Sequence, residues 1–200
     1  MSIRHKYTIG TLGLVALCFT LSCNNSTEQQ ANSTAETTAT ETAAPQETQQ
    51  AAPSAPVSAE PAKAIPDFTF YILKNGIRFN KEDLAKNGNI TFILFDPSCS
   101  HCQHEARDLG QHYDQLKNSN LYFVSMNDPA LMSSFLETFA KPLVDKPNIT
   151  VLYDRDADFI NKFHIPSQYP ATYVYGADGQ LKEHWSGDRA IDEIITAIKQ

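Results

Sequence analysis

From residue 65 onward, short apolar runs alternate with segments whose apolar residues recur every three or four positions. Phe68–Leu73 and Gly76–Phe79, joined by Lys74 and Asn75, read as a β-hairpin. Asn80, with Asp83 three residues later, is the cap of a short helix. Ile90–Phe95 is a continuous apolar run of strand length, the pattern of a strand buried on both faces. From Cys99 to about Asn118 the period turns helical, with Ala106, Leu109, Tyr113 and Leu116 on one stripe. Leu121–Met126 predicts a strand, Pro129–Ala140 a helix, Ile149–Tyr153 a strand and Asp156–Phe163 a short helix. Ala171–Trp185 reads as strand, Asp-Gly turn and strand, and Arg189–Lys199 closes with Ile191, Ile194, Ile195 and Ile198 on one face. Strands alternating with helices, then a hairpin, predict an α/β fold: a central mixed sheet flanked by helices, with an N-terminal hairpin extension.

The first 64 residues follow neither period. Arg4 and Lys6 precede an almost uncharged apolar stretch that ends at Cys23, the layout of a secretory signal over residues 1–22. The stretch is short of the ~20 residues that span a bilayer. Ser22 before Cys23 resembles a bacterial lipoprotein box, which implies cleavage there and lipidation of Cys23. Thr20 and Leu21 depart from the usual box residues. Asn24 to Ala64 holds no aromatic residue and one large aliphatic, Val57. Such a segment buries too little apolar surface to offset its ordering entropy, so residues 23–64 are expected to be a lipidated cysteine and a disordered tether. Its typical reach is roughly 35 Å. The domain is expected to span 65–200, and its location to be the bacterial cell envelope, facing the periplasm or the outer side of the cytoplasmic membrane.

Charge narrows the partners. From Ile65 on there are eighteen acidic and thirteen basic side chains, a balance of −5 with no basic run, which disfavours a nucleic-acid partner. Cysteine usage narrows the chemistry. Of four cysteines, Cys18 leaves with the signal and Cys23 takes lipid, so the exported domain keeps Cys99 and Cys102. A disulfide across two intervening residues closes almost no loop and is a poor structural staple. Metal binding needs more ligands than two thiolates and scattered histidines supply.

Redox chemistry fits better. Cys99 follows a buried strand and the loop Asp96-Pro97-Ser98, and opens a helix. The amides and dipole at a helix start favour an anion by about 0.3–2 kcal/mol, here the Cys99 thiolate. His101, when protonated, adds a positive charge. Cys102, one turn on, is placed to resolve a mixed disulfide. Cys99 is thus the expected attacking thiol and Cys102 the resolving one, with their own disulfide as the redox group and no further cofactor or metal.

Cys99-x-x-Cys102 after a buried strand, the leader from Ile65 to Gly76, Glu105, and Tyr169-Pro170-Ala171-Thr172 before a strand together resemble the thioredoxin-like superfamily. The resemblance is greatest to its membrane-anchored TlpA- and ResA-type thiol-disulfide oxidoreductases. It implies that Pro170 is cis and faces the two cysteines, that Tyr169 offers backbone to a substrate chain, and that Glu105 assists proton transfer. A plainer reading of Glu105 is a solvated helix residue. The family's aromatic residue before the first cysteine is replaced by Ser98, and the buried acid of thioredoxin itself is replaced by Ile93. The approach to Pro170 is one residue longer than usual.

The resemblance implies reduction of exported proteins such as apocytochromes, with electrons from a membrane thiol donor. The alternatives are oxidising or isomerising exchange, which His101 favours, and a copper-handling module on the same fold. A peroxidase is disfavoured, since the proline and threonine upstream of its reactive cysteine are absent here.

Overall fold

The computed structural model describes residues 60–200. The predicted signal peptide, Cys23 and the tether up to residue 59 lie outside the described residues. The chain forms β1 (Thr69–Ile72), β2 (Arg78–Asn80), β3 (Ile90–Leu94), α1 (Ser100–Gln111), α2 (Tyr113–Leu116), β4 (Asn120–Ser125), α3 (Pro129–Phe139), β5 (Ile149–Tyr153), β6 (Ala171–Tyr175), β7 (Leu181–Ser186) and α4 (Ile191–Lys199). The strands make one seven-stranded mixed sheet in the order β2-β1-β5-β4-β3-β6-β7. β3 lies between parallel β4 and antiparallel β6, with Phe92 opposite Tyr122 and Ile93 opposite Thr172. All five β3 residues are buried, Thr91 included, as a strand otherwise wholly apolar requires.

Alternating residues of each strand feed two cores. One joins Ile93, Phe123, Val174 and Trp185 to the apolar stripes of all four α-helices. The other joins Phe92, Leu94, Tyr122 and Tyr173 to Phe68, Phe70, Phe159 and Phe163. Both faces are covered, one by helices and the other by the N-terminal segment and a single short turn.

Four local departures from the sequence pattern have physical causes. The hairpin loop is wider than Lys74-Asn75, because the turn is made through Gly76 at φ +69°, and pairing resumes at Tyr71 with Arg78. The Asn80–Asp83 cap forms, with the Asn80 amide donating to the Asp83 carboxylate at 2.8 Å, but on a single 3₁₀ turn. The helix expected from Cys99 to Asn118 breaks at His112, whose Nδ1 donates to the Asp108 carbonyl at 2.8 Å. Gly110 just before the break lets Pro142 pack close; a Cβ there meets the proline ring at 3.3 Å. Finally, Asp156–Phe163 forms a π-helical turn over Phe159–Phe163. The Asp154 carboxylate holds its start by accepting from the Asp158 and Phe159 amides, both at 2.8 Å.

Backbone pairing begins upstream of Ile65. The Ala62 amide donates to the Phe163 carbonyl, the Leu181 amide donates to the Lys63 carbonyl, and Ala64 bridges Gln180.

Candidate active site

The site assembles where three loops meet at the end of the sheet. The first follows β3. Asp96 folds it back on itself, its Oδ1 accepting from the Ser98 amide and hydroxyl, both at 2.7 Å. The Cys99 amide then donates to the Asp96 carbonyl at 3.1 Å, and Cys99 becomes the N-cap of α1. Ser98, in the place of an aromatic residue, thus serves to shape the loop.

On α1 the buried positions are Cys102, Glu105, Ala106, Leu109 and Gly110, a helical stripe against the sheet. Cys99 lies off that stripe, half-buried, whereas Cys102 is 2% exposed. Both are free thiols. Burial, opposed by a backbone hydrogen bond from Asp96 and reinforced by the neighbouring Cys99, holds the Cys102 thiol far above its ordinary value.

Glu105 is not solvated. It is 6% exposed, and neither carboxyl oxygen has a hydrogen-bond partner within the protein. Burial, then the charges of Asp188 and Asp108, push its carboxyl up to about 8, so it is largely neutral at pH 7. Ile93, at the position of thioredoxin's buried acid, is fully apolar and buried, leaving Glu105 as the buried acid beside Cys102.

The second loop reaches β6 through a cis Tyr169–Pro170 bond, as the resemblance implies. The Cys99 thiol donates to the Tyr169 carbonyl at 3.6 Å. Tyr169 packs against both cores, and burial raises its phenol, aided by Asp96 and Cys102.

The third loop, Gly187-Asp188 after β7, was not evident from the sequence. The Gly187 amide donates to the Pro170 carbonyl at 2.7 Å, and Gly187 takes φ +86°. Asp188 then places its carboxylate on His101 Nδ1. Nothing in the local pattern of Ser186-Gly187-Asp188-Arg189 ties this loop to the cysteine pair; only the fold does. Asp96, Ser98, Cys99, His101, Gln168, Tyr169, Gly187 and Asp188 line an open cleft of ≈ 470 Å³.

Other histidines lie apart. His104 is exposed, and His164 Nδ1 meets the Tyr173 hydroxyl at 2.8 Å beside His184. Among the described residues no three His, Cys, Asp or Glu side chains converge as a metal site.

A half-exposed thiol at a helix start, a buried partner one turn on and a cis-proline loop across from them define a thioredoxin-like oxidoreductase. The chain belongs to the AhpC/TSA family, whose model matches residues 61–184. No curated protein sequence matches it significantly. Solved structures share the fold. A secreted disulfide oxidoreductase of Mycobacterium tuberculosis homologous to E. coli DsbE aligns at 23% identity and TM-score 0.54, over 66% of this chain and 93% of its own. The exposed lipoprotein thioredoxin Etrx1 of Streptococcus pneumoniae aligns at 17% and 0.53, over 67% and 98%. Enterococcus faecalis AhpC aligns at 19% and 0.55, over 70% and 91%.

Proposed function

We propose that the protein is an extracytoplasmic thiol-disulfide oxidoreductase, lipid-anchored at Cys23, that reduces disulfides of exported proteins such as apocytochromes. The observation that carries the exchange chemistry is the asymmetry of the two thiols: Cys99 lines the open cleft and Cys102 is sealed behind it. Cys99 attacks a substrate disulfide, forming a mixed disulfide and releasing one substrate thiol. Cys102 then attacks the Cys99 sulfur, releasing the second thiol and leaving a Cys99–Cys102 disulfide. Glu105 accepts the Cys102 proton in that step. A membrane thiol donor returns two electrons and two protons to restore the dithiol. Tyr169 and Pro170 flank the cleft where a substrate chain meets Cys99.

The envelope location rests on the lipoprotein-like Cys23 and on neighbours described as secreted or exposed. The reverse flow has one observation in its favour: His101 stands inside the cysteine pair, where a protonated imidazole stabilises the reduced form and makes the disulfide more oxidising.

Expression of full-length Cys102→Ser in cells tests the reading. It is expected to accumulate mixed disulfides with exported proteins in the membrane fraction, whereas Cys99→Ser traps none and Cys23→Ala frees the adducts from the membrane. Trapping through Cys102 instead of Cys99 overturns the assignment. A reduction potential near thioredoxin's, about −270 mV, supports reduction, and one near DsbA's, about −120 mV, assigns oxidation.

A further inference from the structure

His101, in the first turn of α1, and Asp188, in the loop after β7, come from separate elements that the fold locks together. The Gly187–Pro170 backbone bond pins the Asp188 loop to the cis-proline loop. The Gln168 side chain lies over Gly187, its Oε1 2.5 Å from where a Cβ would be. Arg189 next door does not compete for Asp188: its guanidinium bonds Glu183 at 2.6 Å and stacks over Trp185 at 4.3 Å. Asp188 therefore faces His101, while its charge also bears on buried Glu105. Both members of the pair are more than half exposed, so its contribution to stability is small. Its geometry matters more. A carboxylate only accepts, so Nδ1 is the donor, and a neutral ring then keeps its lone pair on Nε2.

We propose that Asp188 is a positioning residue for thiol exchange. It holds His101 as the Nδ1–H tautomer, leaving Nε2 as the ring atom that exchanges protons in the cleft shared with Cys99. This deepens the function proposed above and rests on it. Nε2 takes the Cys99 thiol proton, and the sulfur attacks R–S–S–R′. The Cys99–S–R bond forms as the S–S bond breaks, and R′–S⁻ leaves with the proton returned from Nε2. One thiol and one disulfide are consumed, and one of each is formed.

The test uses the full chain, reduced and labelled with ¹⁵N histidine. At pH 8, ¹H–¹⁵N correlation spectra are expected to show His101 protonated at Nδ1. Asp188→Ala is expected to move the proton to Nε2, and Asp188→Glu to restore it in part. Exchange of Cys99 with an aromatic disulfide reagent is expected to slow on the order of tenfold in Asp188→Ala, less than loss of a general base outright. In a His101→Ala background the Asp188→Ala change is expected to have no further effect. A His101 tautomer indifferent to Asp188 overturns the proposal, as does equal slowing with His101 absent. The tautomer is read without turnover, so failure of disulfide exchange altogether counts against the proposed function and leaves the dyad separately decided.

Discussion

Glu105 and Cys102 are one helical turn apart, and burial keeps both in their neutral forms at pH 7. The consequence for Glu105 runs in opposite directions for rate and stability. To accept the Cys102 proton its carboxyl must ionise, so resolution of the mixed disulfide is expected to quicken from pH 6 to about 8 and then level. Glu105→Gln is expected to flatten that profile, as stopped-flow release of a labelled thiol will show. For stability, the folded carboxyl near 8 lies above its ordinary 4.5. Between those values the native state holds a proton the unfolded chain has lost, so this residue makes the domain less stable as pH rises. Glu105→Gln is expected to raise stability by a few kcal/mol at pH 8 and hardly at all below pH 4.5, measured by urea unfolding at both pH values. A carboxylate kept at such a cost is what a functional group looks like.

At the scale of elements, the site depends on Gly187. Its left-handed backbone disfavours a side chain by about 1–2 kcal/mol, and a Cβ there meets Gln168. Gly187→Ala is expected to lower the urea midpoint accordingly and to slow exchange at Cys99 by displacing Asp188 and Pro170 together. This loop also marks where sequence reading stops. β3 was legible because a run whose residues are apolar except for Thr91 leaves no other home than a buried strand, and Cys99 at the start of a helix followed from its place after β3. Pro170 was legible through its family-like neighbours. Asp188 was not, because its meaning comes from His101, a residue remote in sequence that only the β7–β6–β3 adjacency brings near. The break at His112 escaped for another reason: Tyr113 and Leu116 continue the apolar period even though the helix has ended. Periodicity reports which side chains are buried, and a short second helix satisfies it equally well.

At the scale of the molecule, the domain is held from both faces of one sheet, and its N-terminal strap belongs to the second core. Ala62 gives a carbonyl to the Tyr175 hydroxyl at 3.1 Å besides its amide to Phe163, and Pro61 is buried. The composition of residues 60–64, which lack a large apolar side chain, conceals this, since the hydrogen bonds are made by backbone. A fragment starting at Ile65 loses three such hydrogen bonds, each worth about 0.5–1.5 kcal/mol. It is expected to unfold at lower urea than one starting at Glu60, by roughly 2–4 kcal/mol.

The two borders of the sheet carry a last consequence. β2 is three residues long and includes Arg78, while the border strand β7 carries Lys182, Glu183 and His184. Short borders and charged ones are poor templates for another strand. With the lipid anchor proposed above, copies would share a thin layer at high local concentration, the condition under which open borders would stitch neighbours into fibrils. Borders of this kind would let such neighbours collide without their sheets fusing, leaving the cleft at Cys99 open.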